Sequence, residues 1–256
     1  MSAFGFPAPK VKGRTALAVS ILLTAASAWL ALWLLDDTSP THSSSHHGLG
    51  HHQISGLPAL LFVVGWSLMT VAMMLPTTLP VLTVFHTITR RRKDRSELVL
   101  LVIAGYLFVW ISFGVVVYLV YSALQWRTSG SAWLMDRAWA IGPALLILAG
   151  LFQFTPLKYR CLDKCRSPLS FVMEHWQGRH DQWQAFRLGV DHGVFCVGCC
   201  WALMLLMFIV GVGSLVWMMI LAVVMGVEKN VSWGRQVRVP LGVALMVSGL
   251  AYLLFV

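Results

Sequence analysis

Residues 191–201 read Asp191-His192-Gly193-Val194-Phe195-Cys196-Val197-Gly198-Cys199-Cys200-Trp201, three thiols and an imidazole inside an apolar segment. At 100° per residue, His192, Cys196, Cys199, Cys200 and Met207 fall within a stripe about 100° wide on one helix face. Soft sulfur donors and an imidazole in a nonpolar setting suit Cu(I) or Zn(II), and suit Mg(II) or Ca(II) poorly. Cys196 meets Cys199 and Cys200 at i,i+3 and i,i+4. Gly193 and Gly198 leave room for a second helix to approach. A single free cysteine ordinarily packs as a small buried apolar group. Three within five residues, one turn after a histidine, point instead to metal binding or thiol redox chemistry.

Four other groups extend that chemistry. Met69 and Met73 share a helix face, with Met74 beside them, ahead of Pro76 and Pro80. Thioethers select Cu(I) over Zn(II), and Pro76 frees a backbone carbonyl and kinks the helix; methionine is also ordinary core filler. Cys161 and Cys165 lie one helical turn apart among Lys158, Arg160, Lys164 and Arg166, cations that favour thiolate. This pair could exchange a soft ion or cycle as a dithiol. His42, His46, His47, His51 and His52 form a Ser- and Gly-interleaved tract able to load Cu(II), Zn(II) or Ni(II), so it does not choose the metal. Asp191 could orient His192 as a carboxylate behind the ligand, or pair with Arg187 one turn away. Glu228-Lys229 reads as an interfacial charge pair.

The elements that must position these groups are membrane helices. Charged residues make up 11% of the 256 and hydrophobic ones 58%. A soluble domain carries about 25% charged residues, so a polytopic bilayer protein is expected. The net charge of +9 lies between apolar runs rather than along one face, which argues against nucleic acid. Candidate spans are 15–35, 58–85, 98–124, 139–158, 188–210, 215–227 and 240–256. This predicts an all-α transmembrane bundle of about seven spans, six if the last two pack irregularly. Ala26-Ser27-Ala28 faintly resembles a signal-peptidase site, but the apolar run continues through Leu35, so an uncleaved anchor is expected.

Lys and Arg sort by parity: Lys10, Lys12 and Arg14, then Arg90 to Arg95, Lys158 to Arg166, and Lys229 to Arg238. The positive-inside rule makes these cytoplasmic, with the N-terminus inside. The organisation expected is a cytoplasmic tail at 1–14 and one helical domain at 15–256. That domain has a His-rich outer loop at 36–57 and a basic Cys-containing cytoplasmic loop at 158–187, in which Trp176 and Trp183 suit the interface.

Several blocks together resemble an uncharacterised bacterial family of predicted metal-binding integral membrane proteins. They are Met73-Met74-Leu75-Pro76, Phe152 to Lys158, Cys161-Leu162, Cys165-Arg166-Ser167-Pro168, Cys196-Val197-Gly198-Cys199-Cys200-Trp201-Ala202-Leu203-Met204 and Glu228-Lys229. The resemblance covers about residues 57–239 and implies metal binding at the inner membrane. It singles out Met73, Met74, Cys161, Cys165, Cys196, Cys199, Cys200 and Glu228, with Met204 in the longest block, and it implies no particular reaction. Relatives often carry a methionine-rich first outer loop, where this chain has histidines, and Met-Asn where this chain has Gly213-Ser214.

Three readings compete. In the first, the protein binds and moves Cu(I) at the bacterial inner membrane, supplying a copper-dependent membrane or periplasmic partner, with zinc the alternative metal. In the second, it is an enzyme: a membrane thiol–disulfide oxidoreductase using Cys199/Cys200 and Cys196, or a copper-dependent oxidase. The third is an accessory subunit with a structural ion. No nucleotide-binding motif is present, so transport would be passive, ion-coupled or handed to a partner.

Overall fold

The computed structural model describes residues 11–37, 56–128, 140–178, 181–207 and 214–255. Among them are ten α-helices and one 3-10 turn, and no strand, as the composition requires. In chain order the helices are α1 (Val11–Asp37), α2 (Gly56–Met73), α3 (Leu79–Ile88), α4 (Arg95–Thr128), α5 (Ile141–Phe152), α6 (Pro156–Arg166), α7 (Pro168–His175), α8 (Asp181–Leu205), α9 (Leu215–Asn230) and α10 (Gly234–Phe255).

Four of these, α1, α4, α8 and α10, are long and apolar enough to cross a membrane, and up to six spans result if two bent pairs each count as one. Of the seven runs expected from hydropathy, 215–227 falls on α9, whose 16 residues are short at 1.5 Å each for a core of about 30 Å. The last polar turn of α9 is buried among other helices instead. Outward faces carry Leu61, Leu119 and Val223, each about 60% exposed, as a lipid-facing surface would.

Proline sets both bends. Pro76 opens the 3-10 turn Pro76–Thr78, and α2 meets the following helical stretch at 44°. Proline has no amide hydrogen to continue the ladder, and the Met74 carbonyl there accepts from Thr77 Oγ1 at 2.8 Å. Pro156 is the first residue of α6, with Thr155 as N-cap, its hydroxyl accepting from the Lys158 amide; α5 and α6 meet at 64°. The most extensive pairing is α4 against α8. Gly105 and Gly189 make it possible: a Cβ at either position would run into the opposing backbone, the Phe186 carbonyl or the Val102 carbonyl respectively.

The expected basic loop at 158–187 is two helices and the start of a third. Along α6 the buried side chains are Lys158, Cys161, Leu162 and Cys165. This is the i, i+3, i+4, i+7 stripe of an amphipathic helix packed into the bundle.

Candidate metal centre

Helix α8 runs unbroken through Gly198, so the stripe geometry holds along it to Leu205, and Met207 lies two residues beyond its end. Cys196, Cys199 and Cys200 are each 1% exposed. The Cys199 thiol donates to the Cys196 carbonyl at 3.2 Å, and Cys199 Sγ lies 3.4 Å from Cys200 Sγ. Cys196 Sγ has two further neighbours from other helices. Tyr106 Oη of α4 lies 3.1 Å away, and Lys229 Nζ of α9 donates to it at 2.9 Å.

The second thiol pair joins the first. Helix α6 lies across α8 so closely that a Cβ on Gly198 would sit 2.6 Å from Cys161 Sγ. Cys165 lies beside Cys199. Spacing alone left Cys161/Cys165 as a separate exchange site; the fold stacks it on the cluster in α8. The cations around it face elsewhere: Lys158 binds Glu228, Lys164 binds Glu174, Arg166 donates to the Glu228 and Ser232 carbonyls, and Arg160 is exposed. They do not serve the two thiols, contrary to the expectation from charge.

Thioethers complete the surroundings. Met69, Met73, Met74, Met204 and Met207 are all buried in the same core cluster as the five cysteines, with Met218 and Met225 of α9. Met74 comes nearest by contact: its Sδ accepts from Lys229 Nζ at 3.6 Å, beside Thr77 Oγ1 at 3.3 Å. Pro76 contributes by ending α2, which brings Met74 and Thr77 to face α9; the Met74 carbonyl also lies 3.3 Å from Tyr106 Oη.

His192 is buried in the same helix but is not oriented by Asp191. Its ring stacks on Tyr106 at 5.7 Å and tilts against Phe171 at 5.4 Å, and its Nδ1 has no hydrogen-bond partner. Asp191 turns instead to His175 and Arg187, 3.9 Å from each. Glu228 and Lys229 are likewise not a mutual interfacial pair. Both are buried, and adjacent helical residues point about 100° apart. Glu228 takes Lys158 Nζ at 2.8 and 3.1 Å, with Gln153 as the second partner of that ammonium. Lys229 takes the sulfur side.

Lys229, Tyr106, Thr77 and Lys158 were not singled out as parts of a site from sequence. A signal was present for Lys229: Met218, Leu221, Met225, Glu228 and Lys229 are buried along α9 at helical spacing. His46, His47, His51 and His52 lie outside the described residues.

Among the described residues no three or more His, Cys, Asp and Glu side chains are placed to hold one ion. A run of thiols in contact, flanked by thioethers, is a set of soft donors. Residues 63–252 match the family model PpoB2, a copper chaperone. No curated protein and no solved structure matches the chain. A match spanning nearly three quarters of the chain makes it a member of the PpoB2 copper chaperone family.

Proposed function

We propose that the protein receives Cu(I) at the buried sulfur cluster of α6 and α8 and passes it, through the bacterial inner membrane, to a copper-dependent membrane or periplasmic partner. The observation that carries this is the contact of the two thiol groups. Cys161 and Cys165 reach Gly198 and Cys199, and Cys199 continues to Cys200 and Cys196. Neighbouring low-coordinate thiolate sites let an ion change ligands without ever being free, as transfer requires. Copper here is cargo. Met69, Met73, Met74, Met204 and Met207 supply neutral soft donors, and Glu228, through Lys158, holds α6 against α9. On this reading the N-terminus is cytoplasmic and the His-rich outer loop, with His46, His47, His51 and His52, gathers ions.

The test is metal content by mass spectrometry on anaerobically purified protein, beside a Cys196/Cys199/Cys200→Ser variant. About one copper per chain in the parent, lost in the variant, is expected of a single shared site. A second reading rests on the 3.4 Å approach of Cys199 Sγ to Cys200 Sγ, which suits thiol–disulfide chemistry. A reducible Cys–Cys bond with no stoichiometric metal would decide for it.

A further inference from the structure

We propose that Lys229 makes the cluster selective for a monovalent over a divalent soft cation, by already supplying the one positive charge that a divalent ion would duplicate. The inference rests on the copper reading above. It begins from the count of charges that face the sulfurs. Lys229 is 6% exposed, and its ammonium touches Cys196 Sγ, Thr77 Oγ1 and Met74 Sδ. None of these is a carboxylate. The carboxylate next in sequence, Glu228, is engaged by Lys158, so that pair is neutral by itself. Among the described contacts, Lys229 is therefore the cation left to be balanced by whatever forms at the sulfurs.

The thiol that meets Lys229 is Cys196, with Cys199 and Cys200 beside it; the proposed ion is held by two of these as thiolates, Cys196 with Cys199 or Cys200. Metal binding requires both deprotonated. Two thiolates and Cu(I) sum to one negative charge, and the Lys229 ammonium brings the buried total to zero. Two thiolates with Zn(II) or Cd(II) are already neutral, and the same ammonium then stands unbalanced. An uncompensated charge in a low-dielectric interior is strongly unfavourable. No electron moves in either case: two S–H bonds give way to two metal–sulfur bonds, the two protons pass to the buffer, and the Lys229 hydrogen bonds rearrange around the ion. The discrimination resides in a fixed charge rather than in the shape of the site.

The experiment compares two probes, Ag(I) as a redox-inert monovalent ion and Cd(II) as a divalent one. It uses the full chain in detergent, reduced and anaerobic, with affinities read by competition against chelators. Lys229→Met is expected to lower the ratio of Ag(I) to Cd(II) affinity about a hundredfold, the scale of one unbalanced buried charge. Lys229→Arg, which keeps the charge, is expected to leave the ratio near the parent's. Taking a ratio cancels whatever the substitution does to the metal-free protein. Lys229→Gln, which retains a hydrogen-bond donor, repeats the test if the Met variant does not fold. An unchanged ratio in a neutral variant overturns the role of Lys229, while loss of Ag(I) from the Cys196/Cys199/Cys200→Ser variant would leave the copper reading standing. Ag(I) binding that survives the triple serine change overturns the copper reading, and this inference with it.

Discussion

Two buried lysines meet at the last turn of α9: Lys158 of α6 binds Glu228 there, and Lys229 belongs to that turn itself. Lys158 is closed off: its ammonium meets both oxygens of Glu228 and the side-chain oxygen of Gln153. Lys229 is held by a thiol, a hydroxyl and a thioether, none of them a carboxylate. The first arrangement satisfies a buried charge completely and leaves no coordination to spare. The second leaves sulfur lone pairs free beside a charge. Burial alone therefore does not mark a functional group; the nature of its partners does. Closed ionic pairs fix helices in place, and open sulfur contacts are where a cation can enter.

The largest effect should come from breaking the closed pair. Glu228→Gln keeps the shape but leaves Lys158 with no counter-charge inside the bundle. A loss of about 3–5 kcal/mol in unfolding free energy is expected, the usual cost of stranding one partner of a buried pair. Lys158→Met combined with Glu228→Leu should recover most of it, because the charge is then gone from both sides. Thermal unfolding in detergent would measure both; equal losses in the single and double variants would contradict the idea that the pair is closed.

Next comes the contact that joins the thiol groups. Gly198→Ala places a methyl 2.6 Å from Cys161 Sγ, so the Cys161 side chain must turn aside or α6 must shift. Overpacking of this kind costs about 1–3 kcal/mol, and Cys161→Ala in the same chain should relieve most of it, a coupling that a double-mutant cycle detects. If the two changes simply add, α6 and α8 do not meet at this point.

How much of this was legible in the chain follows from the range of each signal. The cysteine stripe of α8 is local, and the unbroken helix bears out its geometry from His192 to Cys200. The break at Pro76 is local as well. The helical form of α6 is masked in the chain because Lys158, Arg160, Lys164 and Arg166 make it polar, although its buried stripe is regular. What buries Lys158 is Glu228, 70 residues away, and no window along the sequence contains both. Tyr106 reads as one more aromatic in an apolar helix; only the crossing of α4 and α8 brings it to Cys196. Asp191 shows the converse. Its place beside His192 suggested a partnership, but neighbours on a helix face different ways, and the carboxylate faces Arg187 and His175.

A smaller effect is expected at the open lysine. Lys229→Met removes three contacts, but the Cys196 thiol can stay neutral, so no buried charge is stranded. The loss in stability should be about 1 kcal/mol, the size of a few weak hydrogen bonds. That is well below the change at Glu228, despite similar burial. A loss as large as that of Glu228→Gln, read in the same unfolding assay, would erase the distinction between the two lysines.

The smallest effect belongs to a third lysine, Lys164, on the outer side of α6. Its ammonium lies 2.6 Å from Glu174 Oε2, with both side chains about half exposed. The hydrogen bond from Lys164, then its charge, holds the Glu174 carboxyl below the usual glutamate range. A carboxylate whose folded value is depressed stabilises the fold above its unfolded value, and that contribution fades as pH falls through the folded value. The parent should therefore lose slightly more stability than Glu174→Gln on going from neutral pH to acid, and the two should converge once the carboxyl is protonated. Because the pair is solvated, salt should shrink the difference at neutral pH. The measurement is melting temperature against pH at low and high salt for the two proteins. A gap that persists in acid, or that salt leaves untouched, would mean that Glu174 acts through packing and not through Lys164. The same ion pair, lysine with glutamate, would then differ between the two sides of α6 for reasons other than exposure to solvent.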